Sequence, residues 1–479
     1  VTGTSMGRMT SARPPGGAAG SRDALAPPPG AWLLAALLGA TFLGTVSNNI
    51  VNVPLRQITD DFVAPVTQGV LVAAASVLVL AVAMPLTGWI TDRFGRRRTL
   101  VLALVVLLAG TVGSAISPTL DLLVASRAVQ GLGCALVPTA VMGTLARRWP
   151  AHRRNRVMGA WGAANGIGQA VGPPIGGLLA DALGWRSIFW LLVPVTVAVL
   201  LLTIWRMPRD QPQPVPIDLP GVASLTLGVA ALMAAITLAP QVGVPPWAAP
   251  LGVLVGVVAL AVFVVSGLRR PNAFIDPRLL IEIRWLRSAV GVFVQQVTLF
   301  SVLVAVPLHL TGVVQLSGTM TGLLVFLLPA VWAASAPLVG LLADRIGPRS
   351  VLRTGLGVLF TVDVGIGVLL GSRSTAVVPV AVLLVVAGLG VALVQTPSLT
   401  GATRSPAGQK GAGLGLFNMM RFIGASVGAA GVAATFPEHL AWLFGGCAAV
   451  AVLGLALSFA GREMLEAPGA DAPTGHRAD

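Results

Sequence analysis

The sequence predicts an all-α integral membrane protein: two six-helix bundles plus an inserted two-helix hairpin, 14 transmembrane helices in all. Three observations carry this. Of 479 residues, 55% are hydrophobic and 10% charged, with a mean hydropathy of +0.86; a soluble chain carries about 25% charged residues. The charges that remain sit at the ends of apolar runs rather than along one face. And the stretch Gly88-Trp-Ile-Thr-Asp92-Arg93-Phe-Gly95-Arg96-Arg97-Arg98 recurs 252 residues on (344 − 92) as Gly340-Leu-Leu-Ala-Asp344-Arg345-Ile-Gly347-Pro-Arg349. So short and charged a turn must lie at a membrane face, and its repetition marks a duplicated chain.

Residues 1–30 are rich in Gly, Pro, Ser and Ala and hold Arg8, Arg13 and Arg22, which reads as a disordered cytoplasmic tail. A cleaved signal peptide is the alternative, but no A-x-A-like site follows the first apolar run. A helix needs about 20 apolar residues to cross a bilayer. By that measure Val157–Ala180 and Ser187–Trp205 are single spans, while charge-free Leu219–Leu268 and Ser288–Ala343 are two spans each. Spans are expected to begin near 31, 67, 99, 122, 157, 187, 219, 248, 288, 320, 354, 376, 411 and 440.

The charges test this count. With the N-terminus inside, 26 of the 31 basic residues fall in cytoplasmic segments, and only Arg56, Arg186 and Arg373 in exterior ones. That is a strong positive-inside pattern, and it outweighs nucleic-acid binding as the reason for the formal charge of +14. With no Tyr in the chain, the interfacial belt is expected to use Trp149, Trp161, Trp185, Trp205, Trp247 and Trp285. A second repeat pairs Gly168 and Gly172 with Gly424 and Gly428, offset by 256 (424 − 168). The expected organisation is an N-terminal bundle (31–206), a linker with helices 7 and 8 (207–270), an interfacial linker (271–287), a C-terminal bundle (288–461) and a second disordered cytoplasmic tail (462–479). In parallel repeats of this kind the binding cavity lies between the halves near mid-membrane.

From about Ala31 to Gly461 the sequence resembles the major facilitator superfamily, and within it the fourteen-spanner drug:proton antiporters. Gly88–Arg98 looks like the family's loop between helices 2 and 3. Leu123-Val-Ala-Ser-Arg127-Ala-Val-Gln130-Gly131-Leu-Gly133 resembles its helix 4 motif, and Gly168-x-x-x-Gly172-Pro173-Pro-Ile-Gly176-Gly177 its helix 5 antiporter motif. Trp185-Arg186 and Asp218-Leu-Pro-Gly221 are similar to the fourteen-spanner branch. The resemblance implies a major facilitator fold in a bacterial inner membrane, both termini cytoplasmic, exporting hydrophobic or amphipathic drugs by proton antiport. One departure stands out: Ser47 occupies the place of the family's helix 1 acid, in Ser47-Asn-Asn49-Ile-Val-Asn52. A facilitator or importer of a small organic metabolite is therefore the alternative; a non-transporting sensor would need a folded soluble appendage that neither tail resembles.

The candidate site residues follow. For gating they are Gly88, Asp92, Arg93, Gly95, Arg96, Arg97, Asp344 and Arg345, with Asp92 expected to cap a helix or pair with an Arg across the halves; the alternative is a turn that only anchors topology. Arg127 and Asp363 are the candidates for proton coupling, because intramembrane charges are expensive and functional by default. Arg127 could instead snorkel to the interface, and Asp363 could instead pair with Arg127 or Arg421. For the substrate cavity the polar residues are Asn48, Asn52, Gln130, Asn165, Gln169, Gln295, Gln296, Asn418 and Arg421, each of which could also simply bond between helices. As a set they describe a mildly polar, weakly charged cavity for a small hydrophobic substrate. On helix 5, Gly168, Gly172 and Gly176 share a bare face, flanked by Pro173 and Gly177, which serves either a directional bend or close packing. No P-loop, no metal constellation among the four His and no disulfide framework from Cys134 and Cys447 are present, so no enzyme, cofactor or metal is expected. The expected partners are substrate, protons and lipid, with the chain a monomer.

Overall fold

The computed structural model describes residues 30–51, 54–64, 66–209, 218–238, 245–270, 276–372, 374–436 and 438–461. Asn52, most of both tails, residues 239–244 of the Pro-rich turn and residues 271–275 of the linker lie outside the described residues. In lipid every backbone N–H and C=O must find an internal partner, so apolar runs of this length fold as helices. The N-terminal helices are α1 (Ala31–Asn49), α2 (Leu55–Asp61), α3 (Val66–Phe94), α4 (Arg96–Ile116), α5 (Leu120–Arg148), α6 (Ala151–Leu183) and α7 (Arg186–Arg206). A hairpin of α8 (Leu219–Leu238) and α9 (Ala248–Arg269) and a short α10 (Pro277–Leu280) follow. The second half comprises α11 (Ile283–Gly312), α12 (Gly318–Ile346), α13 (Pro348–Gly371), α14 (Val377–Arg404), α15 (Gly411–Thr435) and α16 (Leu440–Phe459). Apart from α2 and α10, all run between 19 and 33 residues. Among the described residues, twelve are long and apolar enough to cross a membrane; α6, which opens on Arg153, Arg154 and Arg156, and α8 are the two long helices outside that set.

The charged turns are shorter than the sequence implies. Helix α3 runs through Asp92 and Arg93, and α4 begins at Arg96, so only Gly95 separates them, at φ +82°. Gly347 joins α12 to α13 in the same way at φ +87°. Glycine alone takes this backbone conformation without strain, which is why each turn contains one.

One hydrophobic core is built mainly from α1 and α3–α7, the other from α11–α16. The halves meet along two seams, α3 against α15 and α6 against α12, and α8 lies over the first seam against both of its helices. Small residues bring α8 and α9 together: a Cβ on Gly256 would stand 2.6 Å from Leu232. Asp218 accepts from Gly221 N (3.1 Å) at the start of α8 and pairs with Arg270 (3.0 Å) just past the end of α9, so the hairpin is closed at its open end. The outer face of α9, with Leu254, Val257 and Val258, is exposed where lipid would cover it.

Two sequence expectations are corrected. The short helix α2 was not foreseen. It presents Asp61 to Trp185 Nε1 (3.0 Å) and Arg186 Nη1 (2.7 Å), while Arg186 also donates to Ser117 O (3.1 Å). The Arg186 bond, reinforced by Trp185, holds the Asp61 carboxyl below the usual carboxylate range. The aromatic belt also differs: Trp205 and Trp247 are exposed, but Trp149, Trp161, Trp185 and Trp285 are buried. For Trp161 the reason is that α6 begins at Ala151, which carries this residue well inside the helix and onto the seam between halves.

Candidate functional site: the interface between the two halves

Glycines fix how closely the halves approach. A Cβ on Gly88 would collide with the backbone of Gly411 and Ala412, so α3 touches the start of α15 directly. One turn on, Asp92 Oδ2 accepts from Gly411 N (2.7 Å). That amide belongs to the first turn of α15, where backbone N–H groups lack an intrahelical partner and the helix dipole favours an anion. The second seam repeats the device. A Cβ on Gly340 would stand 2.7 Å from Asn155 O, and Asp344 accepts from Asn155 Nδ2 (2.7 Å) and Arg156 Nε (3.3 Å). Asn155 and Gly411 are 256 residues apart (411 − 155), the offset of the paired glycine motifs. Both seams therefore close the arginine-rich end with a carboxylate from one half held by the other. Of the remaining residues in these turns, Arg93 and Arg345 are exposed, Arg97 donates to Ile204 O on α7 (2.7 Å), and Arg96 lines a cavity of about 400 Å³ beneath the first seam.

Arg127 does not snorkel. It is fully buried and donates to Ser47 O (2.7 Å), Val72 O (3.2 Å), Ser76 Oγ (2.9 Å) and Gln130 Oε1, while Gln130 donates to Thr111 Oγ1 (2.9 Å). The charge is spread over dipoles from α1, α3 and α5, and Gln130 belongs to this network inside the first half. Ser47 meets the arginine through its carbonyl; its own hydroxyl has no partner among the described residues.

Asp363 lies within the second half. It is fully buried on α13, and Oδ2 accepts from Thr298 Oγ1 of α11 (2.9 Å). Oδ1 has no partner among the described residues, and neither Arg127 nor Arg421 pairs with it. It is thus not the structural counter-ion the sequence left open.

Arg421 on α15 faces the other half. It is buried, donates to Asn418 Oδ1 (3.4 Å) and places its guanidinium 5.1 Å from the Trp161 ring on α6. Asn418 in turn donates to Met142 Sδ on α5 (3.3 Å) and to Leu414 O (3.0 Å). Trp161 and Trp332, the largest fully buried side chains, have indole N–H groups without partners among the described residues. The sequence reading missed both tryptophans as site residues. The available signal was that Trp161 stands one turn before Asn165, on the same helix face. Asn165 accepts from Thr45 Oγ1 (3.2 Å), Gln295 donates to Gln296 (2.8 Å), and Asn48 and Gln169 are half-buried.

Helix α6 has two bare faces. Gly168, Gly172 and Gly176 rest on α1 at Thr45, Asn49 and Ile50, with Pro173 and Gly177 half-buried beside them. Gly159 and Gly166 instead face Ala336 and Ala333 of α12 across the seam. No cluster able to hold a metal ion occurs among the described residues.

Two helical bundles meeting along pseudo-equivalent seams agree with a family-level comparison: the model of the Major Facilitator Superfamily matches residues 36–429 and 288–469. The chain belongs to that superfamily. It is 30% identical over 402 residues to "Multidrug resistance protein Stp" of Mycobacterium tuberculosis (strain CDC 1551 / Oshkosh), covering 82% of this chain and 74% of that one. It is 25% identical over 405 residues to "Lincomycin resistance protein LmrB" of Listeria monocytogenes serovar 1/2a, covering 83% and 84%. Among solved structures, the proton:xylose symporter XylE superposes with a TM-score of 0.65 at 15% identity over 89% of this chain and 94% of that one, a likeness of fold alone. The protein is a multi-pass membrane transporter of this superfamily.

Proposed function

We propose that this transporter exports hydrophobic or amphipathic drugs or antibiotics across the bacterial cytoplasmic membrane, by proton antiport with alternating access. The reading takes all fourteen long helices as crossings, both termini and the arginine-rich turns as cytoplasmic, and the chain as a monomer. Its two bundles span 31–206 and 288–461, with 207–270 as an inserted hairpin. The observation that carries it is the pair of carboxylate contacts, Asp92 with Gly411 and Asp344 with Asn155 and Arg156, which close one end of the interface. A path shut at that end opens toward the exterior once the cytoplasmic end has loaded its substrate. The central groups, Trp161, Trp332, Asn418 and Arg421, offer broad aromatic surface and few polar groups, which suits apolar drugs better than sugars. The resistance named for the two relatives agrees with export.

Proton coupling rests on Asp363, which is buried and whose Oδ1 has no partner among the described residues. Ser47 favours a second reading, a facilitator or importer, because helix 1 carries no acid in the described structure. Everted membrane vesicles separate the two. Drug accumulation inside them that collapses on adding a protonophore supports antiport; accumulation insensitive to the protonophore, or none, overturns it.

A further inference from the structure

The two buried arginines are satisfied very differently. Arg127 has acceptors from Ser47, Val72, Ser76 and Gln130. Arg421 has one, Asn418 Oδ1 at 3.4 Å, and its Nε has no partner among the described residues. No described carboxylate pairs with it. Arg421 lies ten residues along α15 from Gly411 (421 − 411), about 15 Å from the closed end at 1.5 Å per residue. The acids around it are remote. On the four seam helices they are Asp92 and Asp344, held at the arginine-rich end, and Asp181, two residues before the end of α6. Asp363 stands on α13, which packs against α11, α12, α14 and α16, and it is bonded there to Thr298. Helix α1 carries no acid.

The groups nearest Arg421 are rings and N–H donors. Its guanidinium stands 5.1 Å from the Trp161 ring, so one face of that ring is already taken by a cation. Trp332 Nε1 lies 3.9 Å from where a Cβ on Gly162 would be, which brings the second indole to α6 beside Trp161. Neither indole N–H has a partner among the described residues. Buried donors left open cost free energy that a ligand oxygen would recover, and an ionised oxygen recovers most. A cation brought here would instead meet Arg421 in a low dielectric, with no carboxylate to offset the repulsion. We infer that the interface takes amphiphiles bearing a carboxylate, its oxygens on Arg421 and the apolar body against the two tryptophans, and rejects lipophilic cations. Selection of this kind rests on reading the interface as the path of an exported drug, and it names the class of drug.

The test uses the full chain in phosphatidylcholine nanodiscs and three probes with one apolar body: pyrenebutyrate, pyrenebutanol and a pyrenebutyl trimethylammonium salt. Binding is read at equilibrium and neutral pH by pyrene fluorescence, with the signal of empty nanodiscs subtracted. Pyrenebutyrate should bind saturably and about tenfold tighter than the alcohol, and the cation should not saturate. Arg421→Gln should bring the butyrate down to the alcohol's affinity, while Arg421→Lys, which keeps the charge, should retain part of the preference. Arg206→Gln, whose guanidinium lies 3.5 Å from the Trp205 ring at the end of α7, should rank the probes as the parent does. No saturable binding of pyrenebutyrate, a cation bound as well as the butyrate, or a preference that survives in Arg421→Gln overturns the inference. Should Arg421→Gln not assemble, the parent's ranking of the three probes decides. Because no gradient is applied, a wrong ranking leaves the export proposal standing, and vesicles that fail to accumulate drug leave the ranking untouched.

Discussion

Replacing Gly88 with alanine should tip the transporter away from the state in which its arginine-rich end is closed. The added Cβ meets the Cα and N of Ala412 and the carbonyl carbon of Gly411, all backbone atoms that no side-chain rotation can move aside. Forcing a methyl into so tight a contact costs about 1–3 kcal/mol. Alanine also favours the helix over glycine by about 1 kcal/mol, but that gain is the same in both states and cancels between them. The net effect falls on the closed state alone and lowers the closed:open ratio by about 5- to 150-fold. Spin labels on cysteines introduced at Arg98 and Lys410, both exposed on opposite sides of the first seam, read the separation directly. The native cysteines Cys134 and Cys447 are buried and should label little. The expected outcome is a gain in the long-distance population for Gly88→Ala, with none for Gly445→Ala, where a Cβ meets nothing within 4 Å. An unchanged distance distribution in a folded Gly88→Ala protein would refute the reasoning that this contact sets the closure.

Three further outcomes follow from the buried charges and the Asp61–Arg186 pair. Arg127→Met should destabilise the first bundle, because the bonds that tie α1 and α3 to α5 through Ser47 O, Val72 O and Ser76 are lost, at a cost of about 1–3 kcal/mol where a buried group is left unsatisfied; a thermal midpoint equal to the parent's would contradict this. Asp363→Asn should keep substrate binding while abolishing uphill, protonophore-sensitive efflux; full gradient-driven efflux would remove Asp363 from the coupling. For Asp61 the carboxyl is held low by Arg186, so its small, solvent-screened contribution is present above the unfolded value and fades only as pH falls through the lowered one. The difference in unfolding midpoint between parent and Asp61→Asn should accordingly stay constant from about pH 5 to 8, and a difference that disappears within that window would argue against the pairing.

The duplicated turn could be read from sequence because its parts are backbone requirements: a glycine for a positive φ, another for close approach, and a carboxylate one turn later. What that carboxylate would touch was less legible. Its partner on the first seam is a main-chain amide, Gly411 N, and on the second the side chain of Asn155, which in the sequence is merely a polar residue in a basic stretch. Arg127 posed the same difficulty. Two of its acceptors are carbonyls, of Ser47 and Val72, and carbonyls are identical at every position of a sequence. Helical spacing tells which residues share a face but not which neighbour that face meets. Hence Gln130 was grouped with the cavity when it turns toward Thr111, and Trp161 with the membrane interface when it lies against Arg421. Ser47 was legible as a departure, while the use of its carbonyl was not.

The single-glycine elbows at 95 and 347 leave no slack between α3 and α4 or between α12 and α13. Each pair must swing together, like the arms of a bracket. Helix α3 is 29 residues long, about 43 Å at 1.5 Å per residue. A swing on the order of 10° about its middle would carry each end roughly 4 Å in opposite directions. Parting the arginine-rich end by that much breaks a 2.7 Å hydrogen bond outright, and the same stroke draws the far end inward by an equal amount.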